Sequence, residues 1–342
     1  MKRKLSLLLS AALVLSFAFG CTSQTTGSSG SEAPSSVSGE TDPRATVNLA
    51  VLSGPTGVGA AKLLSDNDAG TTLNHYNATV AAANDEVTAA LIKGDVDIAA
   101  VATNVAANLS AKTDGEVQML AVNTLGVLYI LEKGDTVYSM ADLRGKTIYA
   151  PSTAKGSNPE YILNYLLTQN GVEPSEVDIQ WITAQEITAQ IASSNSGICM
   201  LPVPAATALL VKDSGVRQAI SLSDEWDNLG QGALTQGCIV ARTEFVEENP
   251  QAVTDFLAEY EASIAYVADE TNRDQASELV AQYGITANAA IAAKAIPQCN
   301  LTFITGQAMK DAVEQYFSVM FQAAPDSIGG AMPYDSFYYG VQ

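Results

Sequence analysis

The sequence predicts an α/β protein with two lobes of mainly parallel sheet, flanked by helices and joined by a two-strand hinge. Three observations carry this prediction: strands alternate with helices, the same order of elements occurs twice, and a β-rich run follows each copy. Strands that alternate with helices imply a parallel sheet, because each crossover helix returns the chain to the same end of the sheet, where the next strand begins. The 342 residues, 47% of them apolar, suffice for two such lobes.

The first copy begins with a β-rich strand, Thr46–Leu52, which is followed by a Gly-rich loop, 53–57, and a predicted helix over 58–65. Three more strands and two more helices complete it. We predict strands at 72–77, 96–101 and 117–122, and helices at 85–93 and 104–112.

The second copy repeats this order about a hundred residues later. We predict strands at 146–150, 177–182, 197–201 and 216–220, helices at 159–170, 185–194 and 204–212, and a loop at 151–157. The runs 126–132 and 236–242 are placed to cross between the lobes. A helix that starts at Asn249-Pro250 returns to the first lobe, helical patterns follow at 273–283, 287–295 and 306–321, and the aromatic end 334–339 packs as a strand or a wrap. Lobe I is therefore 45–125 plus 240–342, and lobe II is 126–239.

The N-terminus has the pattern of a secretion signal that ends at a lipidated cysteine. Residues 1–20 combine a basic start with an apolar run over 5–19, which is shorter than the ~20 residues that a bilayer crossing needs. Cys21 follows the small residue Gly20, as lipoprotein processing requires, although Ala18 and Phe19 depart from the usual lipobox. Ordinary signal cleavage is the alternative. Residues 21–44 are rich in Ser, Thr and Gly, which predicts a disordered tether between the lipid and the folded lobes.

Charge and composition exclude several classes of function. The net charge of −20 disfavours nucleic-acid binding. His75 is the only histidine, so no histidine cluster for zinc exists, and we expect neither a metal nor a cofactor. Beyond Cys21, the cysteines Cys199, Cys238 and Cys299 are predicted to be small buried hydrophobes, with one disulfide as the alternative.

No enzyme motif occurs in the context that its chemistry needs. The Gly54–Gly57 run lacks the later lysine and hydroxyl pair of a phosphate loop, and no nucleophile elbow or dinucleotide fingerprint is present. The acids at 224, 225 and 227 are predicted to lie in a solvated turn. We therefore expect a binding protein and no enzyme.

The candidate binding residues lie where predicted strands end, since ligands of open α/β sheets bind outside the carboxyl ends of the strands. Both loops before the first helix of each copy combine glycine with hydroxyl residues, which exposes backbone N–H groups; capped turns are the alternative. The loop residues are Ser53, Gly54, Pro55, Thr56, Gly57, Ser152, Thr153, Lys155, Gly156 and Ser157.

Four further candidates come from the ends of the second and third strands. These are Asn77, Thr103, Asn104 and Pro202, although Asn104 could simply cap its helix and Pro202 could simply shape a turn. Lys155 is the only basic residue in these loops, which favours a polar organic solute that is partly neutral. Trp226 is expected to pack beneath a loop, with stacking on a ring of the solute as the alternative.

These stretches resemble the type 2 periplasmic binding proteins of ABC importers, in particular the nitrate, sulfonate and taurine group with its NMT1/THI5-like relatives. The resemblance covers 45–342 and rests on 53–63, 91–99, 141–148 and 247–250. It implies a monomeric, extracytoplasmic receptor that closes around one solute and delivers it to a permease and ATPase complex. It does not identify the solute. An enzyme of the thiamine-pyrimidine type and a sensory receptor remain alternatives.

Overall fold

The computed structural model describes residues 44–341. The predictions for the signal peptide, for Cys21 and for nearly all of the tether lie outside these residues. Within them, no helix is long and apolar enough to cross a membrane.

Two sheets organise the described residues, and they confirm the predicted fold class. The first sheet contains β1 (Thr46–Leu52), β2 (His75–Ala81), β3 (Ile98–Ala102), β4 (Val117–Thr124), β10 (Gly237–Arg242) and β11 (Leu301–Ile304), in the order β11-β4-β10-β3-β1-β2. The second contains β5 (Leu128–Lys133), β6 (Thr147–Pro151), β7 (Asp178–Ile182), β8 (Gly197–Pro202) and β9 (Val216–Ser221), in the order β7-β6-β8-β5-β9.

The two copies give the same sheet topology. In each sheet the four strands of one copy point the same way, and the strand that arrives from the other lobe runs antiparallel between the third and the fourth. That arriving strand is β5 in lobe II and β10 in lobe I. β11 adds a further antiparallel strand beside β4, which the sequence analysis missed.

Helices cover both faces of the sheets. Their bounds are α1 (Pro55–Val58), α2 (Ala61–Asp68), α3 (Asn84–Lys93), α4 (Thr103–Lys112), α5 (Asn158–Gln169), α6 (Ala184–Ser193), α7 (Ala205–Lys212), α8 (Leu222–Asn228), α9 (Thr243–Glu248), α10 (Pro250–Ala268), α11 (Arg273–Gln282), α12 (Ala289–Ala295) and α13 (Gly306–Ala323). The acids at 224, 225 and 227 lie in α8, so the predicted turn there is wrong. The C-terminal aromatics form a short turn whose Tyr338 bridges to Met119 of β4, which matches the predicted wrap.

The crossings between lobes are short links, and not the strands that the sequence suggested. β5 and β10 each lie entirely within one sheet, so residues 125–127 and 229–236 make the connections. The predicted boundary after 239 is therefore wrong, because Gly237 already pairs with Ala102 of β3 and Thr124 of β4. Gln236 joins the two links: its N–H donates to Thr124 O at 3.0 Å, and its Oε1 accepts from Val127 N at 2.6 Å.

Cys199, Cys238 and Cys299 are buried and free, as predicted, and they form no disulfide. Burial raises the pKa of both Cys199 and Cys299 to about 12, so these thiols are protonated at neutral pH. They act as small apolar side chains in the core. No group of three or more His, Cys, Asp or Glu residues between 44 and 341 is arranged to hold a metal ion.

Candidate functional site

The carboxyl ends of the strands of both sheets meet at the crossing between the lobes. Thr124 ends β4 and Leu128 begins β5, and Leu128 pairs with Pro202, the last residue of β8. Four residue steps span at most about 14 Å, so the strand ends of lobe II lie close to those of lobe I. The second link enters lobe I at this same end of the sheet, since Gly237 pairs with residues that end β3 and β4. This is the edge at which open α/β sheets bind ligands.

The first predicted loop, Ser53–Gly57, is held tightly by its surroundings. Ser53 N donates to Ala81 O at 2.8 Å, and Gly54 N donates to Ile285 O at 2.9 Å. A Cβ on Gly57 would lie 1.9 Å from Leu52 O, so only glycine fits there. Pro55, Thr56 and Gly57 belong to α1, which has four residues and is too short to provide the strong helix dipole that the sequence suggested.

Asn123 of β4 supports this loop from farther along the sheet, since β10 and β3 lie between β4 and β1. Its Nδ2 donates to Thr56 O at 2.9 Å and to the Tyr260 hydroxyl at 2.8 Å. Gly237 packs against the same group, because a Cβ there would lie 2.8 Å from Asn123 Oδ1 and 3.0 Å from Thr56 Cγ2. The sequence analysis missed Asn123, because the predicted strand ended at 122 and the residue lies in the longer β4, Val117–Thr124.

The second predicted loop, 152–157, is much more open. Ser152, Thr153, Lys155 and Gly156 are exposed, and a Cβ on Gly156 would meet no atom within 4 Å. The Ser157 hydroxyl donates to Ala154 O at 2.8 Å and so closes a turn instead of capping α5. The two loops are equivalent in the fold and differ in how firmly they are fixed.

Thr103 and Asn104 are the first two residues of α4, and not a loop, because the helix follows directly on β3. Both are buried, and Thr103 N donates to Gln236 O at 3.1 Å, which ties α4 to the link between lobes. Asn104 Nδ2 donates to Ser327 O at 3.3 Å. Pro202, half-buried, ends β8 beside Leu128.

Asn77 does not lie at the strand end where it was predicted. β2 runs from His75 to Ala81, so Asn77 is its third residue and lies away from the strand's carboxyl end. Its Nδ2 donates to Asn48 Oδ1 at 3.1 Å on the adjacent strand. The predicted strand at 72–77 was several residues too early because β2 pairs with β1 residue for residue, from Thr46–His75 to Leu52–Ala81.

A cavity of about 290 Å³ brings predicted residues of both lobes together. Asn104 of lobe I and Gly156 and Ser157 of lobe II line it, and none of the other predicted residues does. Tyr161 of α5 and Leu109 of α4 add apolar wall. The cavity can therefore hold a small molecule in contact with both lobes at once.

A larger groove of about 1180 Å³ separates α5 from α13, and Tyr161 lines both spaces. Trp226 is fully buried behind it, where its ring packs 5.3 Å from Tyr165 and 5.8 Å from Tyr316 between centroids. Its Nε1 donates to Gly232 O at 3.1 Å. The predicted packing of Trp226 is confirmed.

Carboxylates of the chain itself accept hydrogen bonds at the starts of three helices. Glu160 accepts from Gly156 N before α5, Glu86 accepts from Ala82 N before α3, and Glu186 accepts from Thr183 N and its hydroxyl before α6. These hydrogen bonds from Thr183 lower the pKa of Glu186, so it remains a carboxylate. A Thr followed three residues later by Glu was a detectable capping signal, and the sequence analysis did not use it.

The two sheets, their inserted antiparallel strands and the strand ends that meet at the crossing define a type 2 periplasmic binding protein fold. Solved structures agree. An ABC transporter protein from Parabacteroides distasonis has a TM-score of 0.71 at 23% identity, with 86% of this chain and 98% of that chain covered. The periplasmic aliphatic sulphonate binding protein SsuA from Escherichia coli has a TM-score of 0.67 at 18% identity, over 84% and 92%.

The sequence also supports the predicted group of proteins within this fold. Residues 118–276 match the family model described as NMT1/THI5 like, which confirms the resemblance. The alkanesulfonate-binding protein SsuA from Xanthomonas axonopodis pv. citri, solved with MOPS bound, has a TM-score of 0.63 at 15% identity and covers 83% of this chain and 94% of that one. No protein of curated function matches the chain.

Proposed function

We propose that the chain is the extracytoplasmic solute-binding protein of an ABC importer, which captures a small polar organic solute between its lobes and delivers it to a permease and ATPase complex. The observation that carries this proposal is the cavity lined by Asn104 of one lobe and by Gly156 and Ser157 of the other. A solute in contact with both lobes stabilises their closed arrangement, because it makes contacts that an open arrangement lacks. The NMT1/THI5-like match supports the same function.

The proposal includes a lipid anchor at Cys21 after removal of 1–20, with 21–44 as the tether and the folded lobes as a monomer outside the cytoplasm. Mass spectrometry of protein from membranes tests the anchor, since Cys21→Ala should abolish the acyl mass and release the protein. The candidate contacts remain the two loops, Ser53–Gly57 and 152–157, together with Thr103, Asn104 and Pro202.

Thermal unfolding of the purified protein in the presence of a panel of sulfonates, pyrimidines, amino acids and short peptides tests the binding function. A ligand at 100 times its Kd stabilises the native state by about 2.7 kcal/mol, which is a clear rise in Tm. Small-angle scattering should show a smaller radius of gyration with the same compound. Turnover of a compound without a rise in Tm would instead favour an enzyme.

A sensory receptor is the remaining alternative, because a receptor for a membrane kinase also captures a solute. Uptake of labelled solute by cells that carry the gene and its neighbouring permease genes separates the two. Loss of uptake on deletion supports import, whereas unchanged uptake with loss of a transcriptional or chemotactic response supports sensing.

A further inference from the structure

The helix starts that border the interlobe cavity already hold negative charge. Gly156 lines the cavity, and its N–H donates to the Glu160 carboxylate. On the opposite lobe, Ala82 N donates to Glu86 Oε2 at 3.2 Å in front of α3. An anionic group that approached these N–H groups would displace a carboxylate or meet its repulsion.

The cavity wall itself is also more acidic than basic. Asp85 in the first turn of α3 and Asp326 in the turn over α4 both line it, against Lys112 at the end of α4. Neither Asp side chain has a hydrogen-bond or ion-pair partner among residues 44–341. The exposed Lys155 is the other cation of the nearby loop. The lining therefore carries two carboxylates for one ammonium group, and Glu86 and Glu160 lie next to lining residues in the chain.

Two buried side chains of the lining have oxygens without a partner. Asn104 is 4% exposed and Ser327 is 1% exposed, and Asn104 Oδ1 and Ser327 Oγ receive no hydrogen bond within the described part of the chain. The Asn104 amide is oriented by its Nδ2, which donates to Ser327 O at 3.3 Å. Its Oδ1 is therefore an acceptor that lacks a donor, and a buried acceptor without a donor is costly.

From these contacts we infer that the solute carries a protonated amine on a small, partly apolar body. The inference rests on the proposed function and specifies its solute class. Ammonium N–H groups satisfy acceptors such as Asn104 Oδ1 and are attracted by the unpaired carboxylates of Asp85 and Asp326. Tyr161 and Leu109 contact the apolar body, and a cation over the Tyr161 ring gains further stabilisation. A sulfonate has no donor and carries the same sign of charge as the wall.

Matched pairs of probes test this inference, each pair sharing one body: butylamine with butanesulfonate, benzylamine with phenylmethanesulfonate, and pyrimidinylmethylamine with its sulfonate. Titration calorimetry at low ionic strength measures each Kd. We expect at least one amine to bind with a Kd at least about tenfold lower than that of its sulfonate partner, because one charge is attracted and the other repelled. A sulfonate that binds tighter than its amine overturns the inference, and so does a series in which no amine binds.

Variants locate the effect in the cavity. Asp85→Asn and Asp326→Asn should each weaken amine binding up to about fivefold, because each removes one partly exposed attraction. Asp274→Asn is the matched control, since Asp274 is an exposed first-turn aspartate of α11. Equal amine affinity in all three variants contradicts the inference. The proposed function fails separately, if no compound of any class binds. A bound sulfonate or neutral solute without amine binding contradicts only the inference of an amine, and the proposed function stands.

Discussion

The two equivalent loops after β1 and β6 differ in how the fold holds them. Ser53–Gly57 is fixed by backbone hydrogen bonds to Ala81 and Ile285 and by the Asn123 side chain. Residues 152–157 are largely exposed and are held by contacts within their own turn and by Glu160. The repeated sequence pattern therefore gives one firmly held loop in lobe I and one open loop in lobe II.

The same contrast extends to the strand that each lobe receives from the other. In lobe II, Glu132 of β5 pairs with Arg217 and accepts from Thr136 and Val137. In lobe I, Arg242 of β10 pairs with Asp97 at 2.8 Å and also with the exposed Glu244 at 2.7 Å. Each inserted strand is thus held by an ion pair with a buried carboxylate. Each arginine also has an exposed second carboxylate, which lies 2.7 Å from Arg242 (Glu244) but 3.9 Å from Arg217 (Asp135).

The largest effect should come from adding one methyl group to the fixed loop. Gly57→Ala places its Cβ 1.9 Å from Leu52 O, and the backbone must move to relieve the contact. We expect a loss of about 3 kcal/mol in the free energy of unfolding, measured by urea denaturation. Gly156→Ala is the control in the open loop: nothing lies within 4 Å, and its φ of 67° costs about 1 kcal/mol. Equal losses in both variants would contradict the contrast.

The next largest effect concerns the ion pair of lobe II. Glu132→Gln should cost about 2 kcal/mol, because Arg217 loses a buried partner. Asp97→Asn should cost less, since Glu244 remains 2.7 Å from Arg242, whereas Asp135, the second carboxylate of Arg217, lies 3.9 Å away. Urea denaturation of the two variants at neutral pH tests this order.

The pH dependence of stability gives an independent test of Glu132. Burial acts to raise its pKa, but hydrogen bonds from Thr136 and Val137 and the charge of Arg217 outweigh burial and lower it. The carboxylate therefore contributes its full stability above the ordinary pKa of 4.5 and loses it as the pH falls through the lower folded value. The wild type should lose stability more steeply than Glu132→Gln below pH 4.5. Parallel acid-unfolding curves would contradict this expectation.

A smaller effect should follow removal of the side chain that holds the fixed loop. Asn123→Leu loses the hydrogen bonds to Thr56 O and to the Tyr260 hydroxyl, which should cost about 1.5 kcal/mol. Solute affinity should also fall, because the proposed contact loop Ser53–Gly57 loses its support. Asn77→Ala serves as the control on an exposed strand position and should change stability by less than about 0.5 kcal/mol.

The smallest effect is expected at the open loop. Glu160→Gln weakens the hydrogen bond from Gly156 N and should cost less than about 0.5 kcal/mol by urea denaturation. Glu261→Gln, on the exposed face of α10, is the control for loss of a single surface charge. A loss at Glu160 as large as that at Asn123 would show that the second loop is as firmly held as the first.

The sequence by itself determined the architecture, because local patterns decide it. Alternating strands and helices, written twice, predicted two parallel half-sheets, and the first strand was predicted to the residue, Thr46–Leu52. Burial of the cysteines followed equally from their apolar neighbours. Only tertiary structure decided the site. Asn77 lies away from the strand end because pairing with β1 sets where β2 ends. Asn123 contacts Thr56, and Ser327 contacts Asn104, which are 67 and 223 positions away in the chain. Contacts between residues so distant in sequence depend on how the elements pack, and no local pattern encodes that packing.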